Sequence, residues 1–136
     1  MNILISGGAG YIGSHVVLEA LNKGCSVTVF DNLSSGKIEN INKGATLFNG
    51  STLCKNDLNS VMRISKFDAV IHLAASKAAG ESMEDPVAYA ENNIVGGINL
   101  INSCLNNNIK IFIFSSTAAV YGDPNYTPID EEHDLN

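Results

Sequence analysis

Apolar residues fall along this chain in two alternating rhythms. Five short apolar runs, Asn2–Ser6, Ser26–Phe30, Ala45–Phe48, Phe67–Leu73 and Ile109–Phe114, read as strands. Runs of this length with little polar alternation suit strands covered on both faces, as in a parallel sheet. Between them the apolar positions step by three and four. Tyr11–Lys23 carries Ile12, Val16, Ala20 and Leu21 as an inward stripe and ends at Gly24, where a left-handed cap is favoured. Lys55–Lys66 reads as a short helix. The longest helix opens at Asp85-Pro86, an N-cap aspartate with proline at the first helical position. Its repeat of Val87, Ala90, Ile94, Ile98, Ile101 and Leu105 predicts a face packed on the sheet, and Asn106-Asn107-Asn108 ends it. Gly96-Gly97 inside it costs about 1 kcal/mol per glycine relative to alanine, which close backbone packing would offset.

Strands alternating with helices predict an α/β fold: a Rossmann-type doubly wound parallel sheet of strand order 3-2-1-4-5. In that order the crevice opens where strands 1 and 4 part, so the loops after those two strands face one ligand. The first loop is Gly7-Gly8-Ala9-Gly10-Tyr11-Ile12-Gly13. Glycines at 7, 10 and 13 suit a tight turn, a close approach of backbone to pyrophosphate, and tight helix–strand packing. The helix N-terminus then faces the phosphates. Asp31 ends strand 2, where a carboxylate accepts ribose hydroxyls and repels a 2′-phosphate, which favours NAD over NADP. No arginine stands in Asn32-Leu33-Ser34-Ser35-Gly36-Lys37 to receive such a phosphate. Ser51-Thr52 follow strand 3, in reach of an adenine. Leu73-Ala74-Ala75-Ser76-Lys77 follow strand 4, with small residues that leave room for a ligand and a lysine that can reach phosphate or ribose. Ser115-Ser116-Thr117 bring three hydroxyls to the carboxyl end of strand 5, suited to a sugar or ribose. His15 and His72 read as packing residues.

Composition narrows the class further. A chain of 136 residues, 45% hydrophobic and 16% charged, is a globular domain and not a disordered one. A net charge of −6 without a basic run excludes nucleic acid and anionic membrane as expected partners. No apolar run is long enough to span a bilayer. Cys25, Cys54 and Cys104 are odd in number and widely spaced, as reduced cysteines of a cytoplasmic protein are, with no metal-ligand pattern. Residues 1–122 are expected to form the NAD-binding domain. Residues 123–136 turn polar and acidic with no evident core face.

Taken together, GGAGYIGSH (7–15), DNLSSG (31–36), VIHLAASKAAGES (70–82), YAENNIVGG (89–97) and FIFSSTAAVYGDP (112–124) resemble the extended short-chain dehydrogenase/reductase family, amino-terminal part only. The likeness is strongest to the branch that interconverts UDP-glucose and UDP-galactose. It implies Tyr11, Ile12 and Asp31–Gly36 around pyrophosphate and adenosine, and Leu73–Lys77 and Asn92 further along the cofactor. It also implies Thr117 as the hydroxyl that bonds the sugar 4-oxygen and helps relay its proton. The implied chemistry is hydride removal from C4 by NAD, a 4-keto sugar, and hydride return on its other face. A homodimer is common in the family.

Three features qualify the likeness. Ser51-Thr52 stand where the family usually places an acidic and an aliphatic residue against adenine. The family's Tyr-x-x-x-Lys is absent, since Tyr121 leads to Asn125 and Tyr126 to Asp130, and the sixth strand and substrate domain are lacking. The chain alone is therefore expected to be inactive. Ala118-Ala119 replace the Asp-Glu of sugar-nucleotide dehydratases, which disfavours dehydration. Another sugar-nucleotide epimerase or decarboxylase, or a non-catalytic NAD-binding module, are the alternatives.

Overall fold

A computed structural model describes residues 1–135; Asn136, the end of the acidic segment, lies outside the described residues. Among the described residues five strands form one sheet: β1 (Asn2–Ser6), β2 (Ser26–Asp31), β3 (Thr46–Asn49), β4 (Ala69–His72) and β5 (Ile111–Phe114). Their order is β3-β2-β1-β4-β5 and every pairing is parallel, as expected. Register places Ile5 beside Val29 on one side and beside Ile71 on the other. Parallel strands put all five carboxyl ends on one edge, so every predicted site segment emerges there.

Side-chain alternation along β1 divides the core in two. Ile3 and Ile5 join Val27, Val29 and Val17 of helix α1 (Tyr11–Asn22). Leu4 faces the other way, with Phe30, Val70, Leu58 and Val61 of α2 (Lys55–Val61), and Leu100 and Cys104 of α5 (Gly96–Asn106). Side chains this fully buried each contribute about 1.5–3 kcal/mol. Burial also pushes the Cys104 thiol up to about 11, which makes it an inert packing group.

Five expectations are corrected. In α1 Val16, Ala20 and Leu21 pack against the core as expected, but Ile12 is exposed and Val17 is the fully buried aliphatic residue. The helix at Lys55 stops at Val61, because Arg63 and Ile64 donate three residues back to Ser60 and Val61 and tighten the chain into a turn. The long helix runs from Pro86 to Asn106 behind its Asp85 cap, as expected, but as α4 (Pro86–Ala90), a π-helical segment Glu91–Val95 and α5, and a further short helix, α3 (Ala79–Glu84), precedes it. Its sheet-facing side is not the aliphatic stripe: Gly96, Gly97, Leu100, Ser103 and Cys104 are buried, while Val87, Ile94, Ile98, Ile101 and Leu105 lie exposed. The small residues win because they let the helix sit close. A Cβ on Gly96 would stand 2.5 Å from Thr52 Oγ1. β5 lies at the edge that the expected order gives it, but its Ile111, Ile113 and Phe114 are exposed instead of covered on both faces.

The acidic segment also has more internal structure than its composition suggests. His133 is buried between the rings of Tyr121 and Tyr126. Its Nε2 accepts from the Asn125 amide at 3.0 Å, which leaves the proton on Nδ1 to donate to Asp134 O.

Candidate functional site

The turn after β1 is built by packing from two directions. Gly7 takes a left-handed φ of +77°, and a Cβ there would stand 2.6 Å from Ala74 N in the loop after β4. Only glycine meets both demands. Gly13 is closed off as well, since a Cβ would overlap Gly7 O and the Gly8 backbone. Gly10 differs from both. A Cβ on it would meet Gly7 O at a close 3.3 Å and no other atom within 4 Å, so apart from that one contact its outer side is open. Gly10 is also the N-cap of α1 and supplies no capping side chain. The first-turn amides therefore lack the side-chain acceptor that most helices provide, at the end where the dipole favours an anion. Tyr11 and Ile12 stand exposed beside this opening.

Asp31 is buried and holds the neighbouring backbone. Its Oδ2 accepts from Ala9 N and its Oδ1 from Leu33 N, both at 2.9 Å. Each carboxylate oxygen has a second lone pair, so both remain able to accept from a ligand hydroxyl. Ala9 O in turn accepts from Lys37 N and from Asn40 Nδ2. Gly36 lies against Ala9 and Asp31 too closely for a side chain. Between them, Asn32, Ser34 and Ser35 are exposed, and Leu33 has a positive φ of 58°.

At the end of β3 the Ser51 amide donates to Asp57 Oδ2 and its hydroxyl accepts from Leu53 N. Thr52 is buried against Gly96, and its carbonyl accepts from Asn99. After β4, Leu73 and Ala74 touch the β1 turn, Ala75 and Lys77 are exposed, and Ser76 is tied to the π segment. Asn92 Nδ2 donates to Ser76 Oγ at 3.1 Å. Ser115 is exposed, its amide continuing the ladder to His72 O. Thr117 is exposed and its Oγ1 accepts from Ala119 N, capping the short turn Ala118–Tyr121. That bond uses an acceptor lone pair and leaves the hydroxyl proton free to donate.

The loops after β1, β2 and β4 are thus joined through Gly7, Ala9 and Asp31. Ser51-Thr52 and Thr117 sit on the same edge, but no hydrogen bond among the described residues ties them to that cluster. Two polar arrangements were not anticipated in the sequence. Ser6 and His72, buried side by side at the ends of β1 and β4, bond through Oγ and Nδ1 at 2.6 Å. Burial lowers the His72 pKa and keeps the ring neutral. Asn93, next to Asn92, pairs with the Ser76 backbone. The repeated asparagine in ENNIV was the available signal.

The chain matches the model of the NAD dependent epimerase/dehydratase family over residues 3–136 and belongs to that family. It is 42% identical to UDP-glucose 4-epimerase of Yersinia enterocolitica, over 97% of this chain and 41% of that protein. Against the UDP-glucose 4-epimerase of Caenorhabditis elegans it is 43% identical, over 97% of this chain and 42% of that protein. The crystal structure of a Thermus thermophilus UDP-glucose 4-epimerase in complex with NAD superposes with a TM-score of 0.89 and 37% identity. That match covers 100% of this chain and 44% of the structure. The chain therefore spans about two fifths of the length of these relatives.

Proposed function

We propose that this chain forms the NAD-binding part of a UDP-glucose 4-epimerase. The observation that carries the cofactor reading is the opening above Gly10, beside an uncapped helix terminus, where a pyrophosphate fits and a side chain would obstruct it. Gly7, Tyr11, Ile12 and Gly13 form that cradle. Asp31 takes the adenosine ribose, with Asn32–Gly36 beside it and Ser51-Thr52 towards the adenine. Leu73–Lys77, Asn92 and Ser115 line the course of the cofactor onward. When bound, NAD supplies a hydride acceptor for C4 of the sugar and returns the hydride to it. Thr117, with its free hydroxyl proton, orients the sugar 4-oxygen.

Relatives at 42–43% identity that bear the 4-epimerase name support the substrate pair UDP-glucose and UDP-galactose, and with it a role in galactose metabolism. Ala118-Ala119 beside Thr117 fit a reaction that eliminates no water. The Tyr-x-x-x-Lys pair is absent from these 136 residues, so we expect them to bind NAD without turning over UDP-sugar unaided. The exposed stripe Val87, Ile94, Ile98, Ile101 and Leu105 suits the contact of a homodimer. Three free cysteines fit a cytoplasmic setting. Titration calorimetry with NAD tests the cofactor reading; absence of a binding isotherm would overturn it. A UDP-galactose turnover assay on the same chain tests the second part, and measurable epimerisation would refute it.

A further inference from the structure

The loop after β4, residues 73–78, has no repeating backbone structure, yet it presses on the β1 turn at Gly7. Its first amide is tied to the sheet, where Leu73 N donates to Ser6 O. Further along, its path is set by a side chain. Ser76 N donates to Asn93 Oδ1 at 2.8 Å, and Asn93 Nδ2 donates to Ser76 O at 2.9 Å. A primary amide offers a donor and an acceptor side by side, as a peptide group does, so Asn93 pairs with Ser76 much as a neighbouring strand would. Asn92 Nδ2 reinforces the pair by donating to Asn93 Oδ1 at 3.0 Å and to Ser76 Oγ.

Asn92 and Asn93 lie in the π-helical turn Glu91–Val95, and both side chains reach Ser76. A π turn has poorer backbone bonding than the α-helix on either side of it, and such turns concentrate at functional sites. Here the π turn carries the two amides that bond the loop lying across from the glycine turn.

We propose that Asn93 is a positioning residue of the cofactor cradle: by holding both backbone groups of Ser76 it sets the β4 loop over Gly7 and presents Lys77 to the crevice. The proposal rests on the reading that the crevice takes NAD. Asn93→Asp tests it with almost no change of shape. An ionised carboxylate only accepts, so it loses the bond to Ser76 O and sets two acceptors face to face. Protonated, it again offers one donor and one acceptor. The neighbouring charges are Glu91 on the π segment and Lys77 on the loop, both exposed, while the bonded partners Asn92 and Ser76 do not titrate. Asn93→Ala removes the pair at every pH.

The experiment measures NAD affinity calorimetrically at pH 8 and pH 5 for the full chain and both variants, each expressed relative to the unsubstituted chain at the same pH. Hydrogen exchange of the Ser76 amide without NAD is followed alongside, and melting temperatures verify folding. Asn93→Asp is expected to bind about tenfold more weakly at pH 8 and to regain affinity at pH 5 only as far as its carboxyl is protonated there. Asn93→Ala is expected to stay weak at both, with faster Ser76 exchange in both variants at pH 8. If Ser76 exchange is unchanged, the clamp does not exist. If exchange quickens in both variants but NAD affinity stays at the parent value, the clamp does not serve the cradle. Failure of the unsubstituted chain to bind NAD would instead sink the cofactor reading, while the exchange data would still decide the clamp.

Discussion

At the scale of single residues, three glycines in one turn do three different jobs. Gly7 and Gly13 are closed by neighbouring backbone, whereas Gly10 borders open space. Gly10→Val should therefore lower the melting temperature less than Gly7→Val does and abolish NAD binding; a calorimetric titration matching the parent would refute the placement of the pyrophosphate. Asp31 has two tasks, holding the Ala9 and Leu33 amides and facing the ribose. Asp31→Ala should narrow the preference for NAD over NADP, read from the ratio of the two dissociation constants. It should also cost about 1–3 kcal/mol through the unpaired amides. Asp31 was legible as the acidic residue closing β2, because its role depends on a fixed distance along the chain from the glycine turn. Its hold on Ala9 was not, because that bond spans two strands.

At the scale of elements, α5 shows where periodicity misleads. Ile94, Ile98, Ile101 and Leu105 form as regular a stripe as Gly97, Leu100 and Cys104, and hydrophobicity alone favours the first set for the sheet. The sheet takes the second, since Gly96 and Gly97 permit an approach that isoleucine would block. Leu100→Ala should cost about 3 kcal/mol in urea unfolding by opening a cavity in the core beneath α5. Ile98→Glu with Ile101→Glu should leave that stability largely intact and shift a dimer to monomer in sedimentation velocity. A large loss of stability from the glutamates would put the stripe back on the sheet. The strand order was legible for the opposite reason: short apolar runs separated by helices admit few parallel arrangements.

At the scale of the whole molecule, the sheet stores a pH dependence at its switch point. His72 is buried and neutral between β1 and β4, with its folded pKa below the ordinary 6.5. The unfolded chain then binds more protons below pH 6.5, so this group's contribution to stability is intact above that value. It is lost progressively as pH falls towards the lower folded pKa. Urea unfolding between pH 7.5 and 5 should show stability declining, and His72→Gln should flatten that slope. An unchanged slope would assign the decline to the carboxylates.

The sequence alone determined the strand order, the glycine turn, the acidic residue closing β2 and the segments that share one edge. Each depends on local pattern or on a short separation along the chain, and such information survives in one dimension. Which face of α5 meets the sheet, and the burial of His133 in an acidic segment, were settled only by three-dimensional packing. It also decided the pairs Ser6–His72, Asp31–Ala9 and Asn93–Ser76. Those outcomes depend on how closely two backbones approach, which leaves no periodic trace in the residues that produce it.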